Sequence, residues 1–131
     1  KGRAFLKRVA EEFSDDEGIR VQVGKIFEAN NCLVEAAEMY EESIEHQPRE
    51  VAAYTGAIAA WLQLHEFEKA EKIFMAVLRT FGGHPNTYGR MAKMYWDWRK
   101  RDKAEEMAIR ALQGNKEQPE AKAVMEAMQR R

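Results

Sequence analysis

Sliding the sequence against itself by 34 residues brings like residues into register three times, and a period of that length confines a chain to an array of stacked repeat units. Arg20, Tyr54 and Tyr88 fall together; so do Val23, Ala57 and Met91, then Gly24, Ile58 and Ala92, then Phe27, Trp61 and Tyr95. The second half of the unit aligns Ala36, Ala70 and Ala104, followed by Tyr40, Phe74 and Ala108 and by Ser43, Val77 and Ala111.

The columns have a physical reason. Tyr54, Ala57, Ile58 and Trp61 are spaced i, i+3, i+4, i+7, which is one face of a helix, and Ala70, Phe74 and Val77 make the matching face of a second. Small residues at Ala36, Ala70 and Ala104 let two helices approach while aromatics fill the space beside them. Neither helix buries its stripe alone, so neighbouring units supply the core. Pro48, Gly82-Gly83 and Pro85 punctuate the unit ends, and Asn30-Asn31 and His65-Glu66 fall where each hairpin must turn. Asparagine suits the left-handed residue that ends a helix.

Second-helix segments such as Glu35-Ala36-Ala37-Glu38-Met39-Tyr40, Phe67-Glu68-Lys69-Ala70-Glu71-Lys72-Ile73-Phe74 and Arg101-Asp102-Lys103-Ala104-Glu105-Glu106 resemble those of the tetratricopeptide repeat family. The resemblance covers residues 17–50, 51–84 and 85–118 and implies an all-α, right-handed superhelical solenoid of antiparallel helix pairs. Arg20 departs from it, standing where the motif favours a large apolar residue. The Pro48 column becomes Gly82 and then Lys116, so the third unit exits either through a longer helix or through a loop at Gly114-Asn115. An amphipathic stretch at 1–16, with Phe5, Leu6, Val9 and Phe13, resembles the second helix of a preceding unit or a cap. Residues 119–131, with Ala121, Val124, Met125 and Met128, are expected to form one more helix, either a cap or the first half of a further unit, for eight helices in all. The start at Lys1 without methionine reads as a fragment of a larger protein.

Composition narrows the function classes. Apolar residues make up 45% and charged residues 33%, which excludes a disordered chain, and no apolar run is long enough to suggest a membrane span. The one cysteine, Cys32, excludes an intramolecular disulfide and favours a reducing compartment, cytoplasmic or nuclear, with an organelle not excluded. Charge is uneven: residues 17–50 carry eight acidic and three basic residues, and 85–118 carry five acidic and eight basic. Either this is variation on solvated helix faces, or it steers an oppositely charged partner or head-to-tail self-association through the array ends. Arg99-Lys100-Arg101 with Lys103 is the densest basic cluster, at an expected hairpin turn.

The resemblance implies that first helices line a concave groove. Carried onto this sequence, that face holds Val21, Lys25 and Glu28, then Thr55, Ala59 and Leu62, then Asn86, Gly89, Arg90, Lys93 and Trp96. Val21, Leu62 and Trp96 would be solvent-facing apolar residues, the mark of a binding surface. Trp96 and Trp98, two positions apart on a helix, cannot share a face, so one packs and the other projects, unless both are core. Chaperone-binding relatives clamp a terminal carboxylate with lysine, asparagine and arginine; here the corresponding places hold Val21, Lys25, Gly56, Asn86 and Arg90, and only Arg90 fits.

Catalysis has little support. His46, His65 and His84 lie far apart, with no close ligand pair for a metal, no glycine-rich phosphate loop and no nucleophile elbow, so no cofactor is implied. Glutamate pairs such as Glu41-Glu42 follow helix periodicity and read as solvated faces. The methionines toward the C-terminus read as core filler, or as an adaptable surface. The sequence therefore points to a protein–protein adaptor that takes a peptide or helix of a partner. The alternative is an RNA-binding repeat: His84-Pro85-Asn86-Thr87-Tyr88 resembles the opening of a pentatricopeptide unit, and Tyr95-Trp96-Asp97-Trp98 is similar to half-a-TPR repeats. The acidic first unit opposes nucleic acid. A third reading is a spacer within a longer solenoid.

Overall fold

The computed structural model describes residues 2–12 and 18–130; Phe13, assigned above to the opening helix, lies outside them. These residues form eight α-helices: α1 (Gly2–Glu12), α2 (Ile19–Ala29), α3 (Leu33–His46), α4 (Val51–Gln63), α5 (Phe67–Phe81), α6 (Pro85–Asp97), α7 (Arg101–Gly114) and α8 (Pro119–Gln129). They gather into two compact units, Lys1–Thr80 and Phe81–Arg131.

The backbone repeats more faithfully than the side chains. Each hairpin turn holds one left-handed residue: Asn31 (φ 61°), His65 (φ 58°) and Arg99 (φ 63°). The next residue's N–H reaches back over the turn, from Cys32 to Phe27 O (2.8 Å), from Glu66 to Trp61 O (2.9 Å) and from Lys100 to Tyr95 O (2.8 Å). A second bond pairs Asn31 with Glu28, His65 with Leu62 and Arg99 with Trp96, so carbonyls left over at the helix end are satisfied.

First helices after the links open on a side-chain cap with the same 34-residue spacing. Glu50 accepts from Ala52 N at 3.4 Å, His84 Nδ1 from Asn86 N at 3.1 Å and Gln118 Oε1 from Ala121 N at 2.8 Å. The third exit is a loop, with α7 ending at Gly114 and α8 beginning at Pro119. Pro48, Gly82 and Lys116 all lie between helices, so the lost proline column marks one backbone place. The tyrosine column seals these links: Tyr54 donates its hydroxyl to Pro48 O at 2.6 Å, and Tyr88 lies against Gly83. Arg20, the odd member, instead reaches Glu42 (3.6 Å) and His46 (3.5 Å) on α3.

In the first unit the core is built around Tyr40 on α3. Its ring lies between α2 and α4, where Gly24 and Gly56 make room: a Cβ on Gly24 would stand 2.8 Å from the ring, and one on Gly56 2.5 Å. The hydroxyl donates to Glu28 Oε1 at 2.6 Å. Val21, Val23, Phe27, Ala36, Met39, Ala53 and Ala57 complete the cluster, with Ala10 of α1.

In the second unit an alanine, Ala108, stands in the Tyr40 column. Ala92, Ala104, Ala108, Ala111 and Ala121 are wholly buried, beside Met91, Met94, Tyr95 and Val124. Here α8 packs directly on α6, and Gln118 at its start is buried against Gly89. Two of the five C-terminal methionines, Met91 and Met94, are core, while Met107, Met125 and Met128 are half-buried.

Candidate functional site

Within the first unit the expected binding residues divide. Lys25 and Thr55 are exposed, and Ala59 and Leu62 are half-buried. Glu28 is exposed but has a structural task, since it accepts the Tyr40 hydroxyl. Burial, then that bond, holds the Tyr40 phenol above its usual range. Val21 corrects the expectation of a solvent-facing apolar residue: it is 6% exposed and belongs to the core cluster with Ala10. Helix α1 packs on α2.

Within the second unit, Asn86 and Lys93 are exposed and Arg90 is half-buried. Asn86 accepts from Gln118 Nε2 at 3.4 Å, and Lys93 pairs with Asp97 at 2.6 Å. Gly89 is no open stretch of surface, because the Gln118 side chain occupies the space a Cβ would need. Gln118 is held there by its cap to Ala121 and by donating to Glu120 at 2.6 Å.

The two tryptophans separate, although neither is fully buried. Trp98 stacks on Tyr95, with centroids 6.1 Å apart and planes 7° from parallel, and Lys100 lies 3.9 Å from its ring centroid. Trp96 faces an open pocket of about 490 Å³ that it lines with Asp97, Arg99 and Arg101. The Arg101 guanidinium is 5.9 Å from the Trp96 centroid, within cation–π range. The basic run at 99–103 and Trp96 therefore meet at one turn.

No family model matches the sequence, and no curated protein matches it. Among solved structures it is similar to YrrB, described as a TPR protein with an unusual peptide-binding site, at a TM-score of 0.65 and 19% identity. The likeness covers 88% of this chain, which spans 60% of the length of YrrB. The chain has the tetratricopeptide-repeat fold.

By the 34-residue phase of the sequence, α2, α4 and α6 stand where first helices are expected and α3, α5 and α7 where second helices are. One feature on the second helices escaped the sequence reading. Glu38, Glu41, Ile44 and Glu45 of α3 face Lys69, Lys72 and Ile73 of α5 across an open cleft of about 440 Å³, with Trp61 among its lining. Trp61 Nε1 donates to Glu41 at 2.6 Å, and Lys69 lies 4.5 Å from the indole centroid. The spacing of Glu38, Glu41 and Glu45 was the available signal, but it is the same spacing that a solvated face shows. No group of three or more His, Cys, Asp or Glu among the described residues is placed to hold a metal. Among the same residues, no helix is long and apolar enough to cross a membrane.

Proposed function

We propose that this chain is a non-catalytic adaptor that takes a peptide or helix of a protein partner on the exposed faces of its tetratricopeptide first helices. One observation carries the reading: Trp96, a large amphipathic side chain on a first helix, is left half-exposed at an open pocket. Tryptophan is the residue type most enriched among energetic anchors of interfaces. The likeness to a peptide-binding tetratricopeptide protein supports it. In the first unit, Lys25, Thr55 and Leu62 offer mixed polar and apolar contacts, each modest by itself.

The test is selection of a random peptide display library on the full chain, repeated on Trp96→Ala and on Lys25→Glu/Leu62→Glu. Peptides that enrich on the parent chain and bind at least one variant about tenfold more weakly support the adaptor. A library that enriches nothing, or binds both variants as tightly as the parent, overturns it. The RNA reading draws on the basic residues around Tyr95, Trp96 and Trp98, and predicts salt-sensitive capture of a single-stranded oligonucleotide.

A further inference from the structure

We propose that the α6–α7 turn is an anchoring site for an acidic peptide segment, with one apolar side chain seated on Trp96 and flanking carboxylates on Arg99 and Arg101. It rests on the peptide-binding reading above and specifies the chemistry of the partner.

The charges in the pocket are unevenly answered. Asp97, the one carboxylate among the described lining residues, is neutralised by Lys93 at 2.6 Å. Arg101 donates to a carbonyl, Met128 O at 3.4 Å, and lies over the Trp96 ring. Arg99 is exposed at the left-handed position of the turn. Among the described residues neither arginine has a carboxylate partner. Their surroundings add to the field: residues 81–131 hold eleven basic and seven acidic residues, net +4. A planar guanidinium pairs with a carboxylate through two parallel hydrogen bonds, and two of them beside an indole suit a carboxylate–apolar–carboxylate pattern.

The arrangement favours a peptide over nucleic acid. Binding of single strands uses successive aromatic platforms for successive bases. Here Trp98 is already engaged, stacked on Tyr95 and covered by Lys100, so Trp96 remains as the single platform. The turn is also pre-shaped, because the Lys100 N–H to Tyr95 O bond and the Arg99 N–H to Trp96 O bond fix its backbone before any ligand arrives.

The experiment is fluorescence anisotropy of the full chain with three labelled probes: Gly-Glu-Glu-Phe-Glu-Glu-Gly, its lysine-for-glutamate counterpart, and a short oligouridylate. The acidic peptide should bind and the lysine peptide should not. Affinity should fall about tenfold in Arg99→Glu/Arg101→Glu and weaken as salt rises. Trp96→Ala should weaken binding several-fold while keeping the salt dependence. Circular dichroism checks that each variant keeps its helices. Arg99→Glu alone, at an exposed side chain with no hydrogen bond or ion pair among the described residues, provides a second variant if the double one unfolds. Equal binding by parent and charge-reversed chains, or capture of oligouridylate without the acidic peptide, overturns the proposal. If display selection yields tight peptides with no acidic bias, the adaptor function stands and this assignment of its partner falls.

Discussion

The two units answer one packing problem in opposite ways. Tyr40 and Ala108 occupy the same column of the repeat, yet one is an aromatic ring between two helices and the other a methyl group. In the first unit the ring is accepted by Gly24 and Gly56 and anchored by Glu28. In the second, alanines along α7 and α8 bring helices together, and α8 packs on α6 more extensively than α4 packs on α2. A ring seated on two glycines, or alanines beside methionines: both fill the interior, and the turns and caps are alike in each. The 34-residue period thus specifies where the backbone goes, while the volume in each column is negotiated locally with the helix opposite.

Exchanging the two solutions should break both. Tyr40→Ala leaves a ring-sized void between α2 and α4 and should cost about 3–5 kcal/mol in chemical denaturation. The reverse change, Ala108→Phe, forces a ring where no glycine makes room and should cost about 1–3 kcal/mol or more. Gly56→Ala belongs with the second class, since its Cβ would stand 2.5 Å from Tyr40 Cζ. A loss below about 1 kcal/mol for Tyr40→Ala would mean that the ring is replaceable and that the two units do not differ in this way.

Gln118 offers a third, intermediate case. It is 1% exposed, the polar counterpart in the second unit of a buried wedge. Its amide caps α8 through Ala121 and donates to Glu120 and Asn86, so every bond it makes is lost together. Gln118→Ala should cost about 1–2 kcal/mol, less than Tyr40→Ala because less volume is removed.

How far these features could be read from sequence depends on whether their cause is local. Helix faces and the hairpin turns at Asn31 and His65 follow from periodicity and breakers within a unit, whereas the sequence leaves the exit after Gly114 open between a longer helix and a loop. The burial of Val21 does not follow from periodicity: it joins a core cluster that includes Ala10 of α1, an element packed on α2 from outside the expected repeat unit. Gln118 reads in sequence as a polar link residue; only the absence of a side chain at Gly89, on another helix, admits it to the interior. The cleft between α3 and α5 was hidden for a related reason: a row of glutamates looks alike whether it faces water or a row of lysines. Trp96 was legible as a candidate, and the basic run beside it as a cluster. That Arg101 would lie over the indole required the turn itself.

A pH titration isolates the polar half of the Tyr40 wedge. Burial and the Glu28 bond raise the phenol's pKa in the folded state. An unfolded tyrosine titrates near 10, so above that pH the unfolded chain sheds a proton that the folded chain retains. The contribution is present in full below about pH 10 and declines as pH rises beyond it. Tyr40→Phe should remove this part of the alkaline slope at a cost of about 1 kcal/mol near neutrality. Denaturation midpoints of both chains between pH 8 and about 11 give the answer; parallel curves would mean that the hydroxyl is not held as described.

The smallest effects should come from the feature the units share. Asn31, His65 and Arg99 each occupy the left-handed position of a hairpin turn, a conformation that costs a residue with a Cβ roughly 1 kcal/mol and a glycine almost nothing. Glycine at each position should therefore stabilise the fold by about 0.5–1 kcal/mol in His65→Gly and Arg99→Gly. Asn31→Gly should gain less, because asparagine tolerates this region better than the other two. The order is the informative part. If the gain follows residue chemistry, with His65 and Arg99 alike although they lie in different units, the turn is one device used three times. If it follows the unit instead, the turns are coupled to the cores they join, and the separation between a common backbone and locally chosen packing fails at its simplest point.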